Sequence, residues 1–120
     1  MTTVDKFYKN LMIFLSELVD LHPEEGDLLL MRLYIETQNK DDIINKIGKF
    51  INDNINLIND ESFKEDPNSL CNKLNQFTDS SKIMKLRNLW LFEGDENKNI
   101  IIKWLNVFNR IYVAHTKKKE

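Results

Sequence analysis

Apolar residues along this chain recur at intervals of three and four, and no stretch alternates at intervals of two for the length of a strand. That period dictates amphipathic helices and leaves no material for a sheet. Val4, Phe7, Leu11, Phe14, Leu15, Leu18 and Val19 set the pattern, with Thr2 or Thr3 available to cap its start. The stretch His22 to Asp27 supplies Pro23 and Gly26, which stop one helix, and Glu24, Glu25 and Asp27, which suit the positive end of the next. A second helix is expected to about Gln38. Its Leu28, Leu29, Leu30, Met31, Leu33, Tyr34 and Ile35 are apolar nearly all round, broken mainly by Arg32, which is the pattern of a helix in the middle of a bundle.

Asn39 is placed to cap a third segment, with Asp41 and Asp42 in its first turn and Ile43, Ile44, Ile47, Phe50, Ile51, Ile55 and Ile58 at helical spacing. Residues 59–69 form the longest polar stretch and are expected to be the softest. Asp66 before Pro67 suits the start of a short helix holding Leu70, Leu74 and Phe77. A fifth helix carries Ile83, Leu86, Leu89 and Trp90. After the break at Glu93-Gly94-Asp95 a last helix, from about Asp95 to Ala114, carries Ile101, Trp104, Leu105, Phe108, Ile111 and Tyr112, leaving a frayed tail at 115–120. The expected fold is all-α, a compact bundle of five to six helices in one domain, as 120 residues suit a single core. Phe14, Leu18, Leu30, Trp90, Trp104 and Phe108 are its expected core.

Composition excludes several classes. Cys71 is the only cysteine, so a disulfide framework and a paired-cysteine metal or redox motif are both ruled out, and a reducing intracellular compartment is expected. Glu17 and Asp20 interrupt the first apolar run before it resembles a secretory signal, and no uncharged stretch approaches the roughly 20 residues of a membrane span. A net charge of −2 lacks the basic field common to nucleic-acid-binding domains. Residues 1–60 carry 6 basic and 11 acidic groups and residues 61–120 carry 11 and 8, a polarity that could orient the chain against a partner. The 15 Asn, 14 Lys and 13 Ile share A/T-rich codons, which points to an AT-rich genome.

No catalytic, metal-binding or cofactor-binding residue is assigned, and no cofactor is expected. His22 with Asp20, Glu24, Glu25 and Asp27 has the residue types of a metal site, but these flank a proline in a turn instead of projecting together from helices. The segments around Asp53 and Asp60 lack the alternating oxygens and central glycine of a calcium loop. Gly26, Gly48 and Gly94 stand alone and form no phosphate-cradling motif. Cys71 has no local histidine partner, since His22 and His115 are the only two, and it reads as a small apolar residue. Asn99, Lys103, Asn106 and Arg110 fall on one polar stripe of the last helix, with Lys82 and Lys85 earlier in sequence, a candidate surface for a partner or for nucleic acid. Lys117, Lys118 and Lys119 extend the basic character into the tail, while the apolar excess on the second helix and at Ile100 to Ile102 suits a homodimer.

The ends of the chain carry a resemblance. The run IMKLRNLW and the following GDENKNIIIKWLNVFNRIY, within residues 83–112, place Leu89-Trp90, Asp95-Glu96-Asn97-Lys98, Lys103-Trp104-Leu105 and Phe108 in a characteristic order. The opening FYKNLMIFLSELVDLHPEEGD, Phe7 to Asp27, is an apolar helix ending in a proline-acidic turn. Together they resemble the small uncharacterised helical proteins of giant DNA viruses of protists and algae, with His22 in place of the usual Phe and Gly94 in place of the usual Ser. The match covers about half the chain and excludes residues 40–80. It implies a viral origin in a eukaryotic host cell and brings no catalytic residue with it. The sequence as a whole reads as a non-enzymatic helical protein of the host cytoplasm or the virion, acting through protein–protein contact; a nucleic-acid-binding accessory role on the basic stripe is the alternative.

Overall fold

The computed structural model describes residues 2–119, so Glu120 and the side chains of Lys118 and Lys119 in the expected tail lie outside the described residues. Every regular element among the described residues is helical, as the periodicity requires. The described residues form eight α segments, more than the five or six expected, because the third apolar run is subdivided and the 59–79 region forms several single turns. The chain divides into two compact units, Met1–Asp53 with Leu105–Glu120, and Asn54–Trp104.

The first unit contains α1 (Thr3–Leu21), α2 (Gly26–Glu36), α3 (Lys40–Ile43), a π-helical turn (Ile44–Gly48), α4 (Lys49–Asp53) and the later part of α8 (Asp95–Lys119). Thr2 caps α1, its hydroxyl accepting from the Asp5 N–H at 3.1 Å and donating to the Asp5 carboxylate at 2.9 Å. Phe7, Leu11 and Leu15 follow one another at steps of four and are buried. Phe108 is buried beside them, its ring 5.3 Å from Phe7 and, edge-on, 5.6 Å from Phe14. Leu28, Ile35, Ile43, Ile44 and Ile51 complete this core, each such side chain contributing about 1.5–3 kcal/mol on burial.

Asn39 caps α3 through its side-chain oxygen, which accepts from Asp41 N–H at 2.8 Å and Asp42 N–H at 3.3 Å. The helix then passes through its π turn instead of continuing regularly. Gly48 ends that turn against Tyr112: a Cβ there would stand 2.6 Å from Tyr112 Cδ1, so only glycine lets the two helices approach this closely. Asn54, with φ −116° and ψ 13°, then interrupts the isoleucine run expected to continue to Ile58, and its buried side chain accepts from Lys73 Nζ at 2.8 Å. The last helix also differs from expectation, reaching Lys119 instead of Ala114. Thr3 Oγ1 and His115 Nδ1, both on buried residues, are 2.9 Å apart, so the segment expected to fray at 115 is fastened to the start of α1.

The second unit contains α5 (Ile55–Ile58), a 3-10 turn (Glu61–Lys64), α6 (Asn68–Cys71), a second 3-10 turn (Leu74–Gln76), α7 (Ser80–Phe92) and the first part of α8. Asp60 and Asp79 cap the first 3-10 turn and α7, accepting from Ser62 N–H at 2.9 Å and Lys82 N–H at 3.0 Å. Phe63, inside the polar stretch expected to be softest, is buried under the ring of Trp90 at 5.0 Å. Trp90 Nε1 donates to the carbonyls of Phe63 and Lys64 at 3.3 and 3.2 Å. Buried Lys98 donates from Nζ to the same Lys64 carbonyl at 2.9 Å. The 3-10 turn therefore has its otherwise orphaned carbonyls satisfied by two side chains from other helices.

Candidate interaction surfaces

The helix expected at the centre of the bundle lies at its surface. On α2, Leu28 and Ile35 are buried, whereas Leu29, Leu30, Leu33 and Tyr34 are 45%, 62%, 45% and 64% exposed. Their spacing at i, i+1, i+4 and i+5 puts the four on the side of the helix opposite Leu28 and Ile35. A helix that is apolar all round has no polar face to offer water, so α2 buries one side on the first unit's core and leaves the other as an apolar surface. Leu30 is accordingly not core. Of the other expected core residues, Phe108 is buried and Phe14, Leu18, Trp90 and Trp104 are half-buried.

Arg32 fixes the orientation of this helix. Its Nε donates to Ser16 Oγ on α1 at 3.0 Å, and its Nη1 lies 2.8 Å from the Glu36 carboxylate one turn on. Ser16 Oγ in turn donates to the Met12 carbonyl at 2.9 Å. Between residues 17 and 36 the chain carries six carboxylates, Glu17, Asp20, Glu24, Glu25, Asp27 and Glu36, against the single guanidinium of Arg32. The apolar face thus lies on a strongly acidic helical hairpin. The signal was present in sequence, but an all-round apolar helix reads first as central, and nothing local says which side a neighbour will cover.

The polar stripe is largely where helical spacing puts it. Lys82, Lys85, Asn99, Lys103 and Arg110 are exposed and Asn106 is half-buried. Lys82, Lys85, Asn99 and Lys103 belong to the second unit, Asn106 and Arg110 to the first. Counted by unit, the charge polarity of the two sequence halves disappears: the first unit has 10 basic and 11 acidic residues, the second 7 and 8. The folded chain returns the basic C-terminal segment to the acidic N-terminal one. Neither unit carries a net positive field to attract phosphates.

The residues with chemical potential are divided between the two units. Cys71 is half-buried in the second unit, and burial pushes its thiol pKa up, which works against a thiolate nucleophile. His22 and His115 belong to the first unit, His22 with Nδ1 3.9 Å from a Glu24 carboxylate oxygen. Among the described residues no group of three or more His, Cys, Asp and Glu side chains is arranged to hold a metal ion. No helix among them is long and apolar enough to cross a membrane.

Three residues of the 89–98 segment have a structural task. Trp90 of the Leu-Trp pair and Lys98 of Asp-Glu-Asn-Lys meet on the Lys64 carbonyl, with Lys98 Nζ also 5.8 Å from the Trp90 ring centre. Asn97 of the same motif donates to Glu93 at 2.8 Å across the turn that joins α7 to α8. Sequence spacing alone did not single out Lys98, because a lysine in a polar first turn ordinarily faces water. Comparison of the chain with family models, with curated proteins and with solved structures gives no match.

Proposed function

We propose that this chain is a non-enzymatic helical protein that works through protein–protein contact. One observation carries this reading: the outward face of α2 presents four large apolar side chains on a well-anchored helix. Taking a leucine or tyrosine side chain as on the order of 200 Å², their exposures leave on the order of 400 Å² of apolar surface in one patch. One side of a standard interface buries about 800 Å², a little over half of it apolar, so the patch supplies the apolar part of such a contact.

The resemblance over residues 7–27 and 83–112, with the Asn, Lys and Ile excess, supports a place among the small helical proteins of giant DNA viruses. In that setting the chain is a virion component or a modulator of a host or viral partner in the host cytoplasm. Size-exclusion chromatography with light scattering, at low and moderate salt, with and without mixed nucleic acid, tests the reading. A mass that ignores both salt and nucleic acid is expected; co-elution with nucleic acid at low salt contradicts it.

The exposure of Lys82, Lys85, Lys103 and Arg110 favours a second reading, a nucleic-acid-binding accessory protein. It requires that replacing Lys103 and Arg110 together by alanine weaken nucleic-acid binding and flatten its salt dependence without loss of stability.

A further inference from the structure

The surroundings of the apolar face define the kind of partner it fits. α2 is 11 residues long, about three turns or ~16 Å at 1.5 Å per residue, which matches a short helix lying alongside it. Its outward face offers Leu29, Leu30, Leu33 and Tyr34 as a continuous strip, with Gly26 at the N-terminal end leaving open space where a side chain would stand. The hairpin that bears this strip, residues 17–36, has a net charge of −5 from six carboxylates and one arginine. Arg32 is held between Ser16 and Glu36. A second copy laid on this face would bring two such hairpins together, and juxtaposed like charges are costly at an interface. An apolar strip with Asp27 and Glu36 at its two edges by helical spacing, on a hairpin of net negative charge, is complementary to an amphipathic helix whose apolar side is flanked by lysine and arginine.

We propose that the outward face of α2 is a docking surface for a cationic amphipathic helix of another protein. This rests on the protein-contact reading above and adds to it the place and the chemistry of the contact. The apolar strip supplies the buried centre, and the carboxylates of the hairpin supply steering and select against anionic helices.

The probe is a fluorescein-labelled 14-residue peptide of leucine and lysine with leucine at helical spacing, titrated with the full chain and followed by anisotropy. Its counterpart with glutamate for lysine is the charge control. The leucine–lysine peptide should saturate at one per chain and bind at least about tenfold more tightly than the leucine–glutamate peptide, with affinity falling as salt rises. The double variant Leu30→Gln with Tyr34→Gln should lose at least about tenfold in affinity while its melting temperature stays within about 2 °C, as for a surface substitution. Equal binding of the two peptides, or binding indifferent to the double variant, overturns the proposal. A salt-independent dimer that the double variant dissociates also overturns it, but leaves the protein-contact reading standing with a second copy as partner. A fall of many degrees in melting temperature shows the face to be covered within the chain and removes both.

Discussion

The two units are held together by different physics. Among the described residues, nine of the large buried apolar side chains belong to the first unit and only two, Ile58 and Phe63, to the second. The first unit has long helices with a buried stripe, closed by the Phe7, Phe14 and Phe108 rings. In the second, single turns are joined by side chains reaching across to backbone or amide oxygens: Trp90 and Lys98 to Lys64, Lys73 to Asn54, and Arg87 Nε to Asn68 Oδ1 at 2.6 Å. Hydrophobic burial is non-directional and scales with area, so a long amphipathic helix secures it from periodicity alone. Polar clamps are directional and leave an expensive unsatisfied group when one partner is removed. The first unit should therefore respond to lost volume and the second to lost donors.

The largest effect expected is at the ring cluster. Phe108→Ala removes the side chain that both Phe7 and Phe14 touch and should cost about 3–5 kcal/mol in urea unfolding followed by circular dichroism. A loss below about 1 kcal/mol would show that the first unit's core is not built on this cluster. Gly48→Ala sharpens the same point from the opposite side. In an ordinary helix it gains about 1 kcal/mol, but here the new methyl meets Tyr112 and should destabilise by about 2 kcal/mol.

For the second unit, Lys98→Met keeps the length of the side chain and removes its charge and donors. It should cost about 1.5 kcal/mol by loss of the charged hydrogen bond to Lys64, read as a lowered midpoint in tryptophan fluorescence. A stabilised protein would mean that burying the ammonium outweighs its bond to the carbonyl. The smallest effect is with pH. Asp5 is held below the ordinary carboxylate pKa by the Thr2 hydroxyl and then by Lys40, and Asp60 by its bonds from Ser62. What these carboxylates contribute is complete above the ordinary carboxylate value and is lost as the pH falls through the lowered folded value. Both are exposed, so the midpoint should fall modestly on acidification, and Asp60→Asn should flatten that fall in the fluorescence-detected transition.

The same contrast decides what was legible in sequence. The all-helical class, the Asn39 cap and the α1 stripe follow from local rules, and the structure repeats them; of the two threonines offered at the start of α1 it uses Thr2. The outward position of α2 does not, because an all-round apolar helix specifies burial but not which face receives it. In the sequence Asn54 falls within a helical run and Phe63 within a soft polar stretch. Their roles depend on Lys73 and Trp90, 19 and 27 residues away, and no periodicity carries information over that distance. The charge polarity of the halves misled in the same way: α8 carries Arg110 and the lysine tail from the second half of the sequence into the first unit. The exposure of Asn99, Lys103 and Arg110 on α8 was legible because helical spacing alone defines it.

Both tryptophans, Trp90 and Trp104, belong to the second unit, whereas helix content is spread over both. Urea unfolding of the intact chain followed in parallel by tryptophan fluorescence and far-ultraviolet circular dichroism therefore tests the central contrast directly. Two differently held units require the fluorescence midpoint to fall at lower urea than the dichroism midpoint, and Lys98→Met to widen the gap. Coincident transitions that shift together in both Phe108→Ala and Lys98→Met would contradict it, placing the clamps and the ring cluster in one cooperative core.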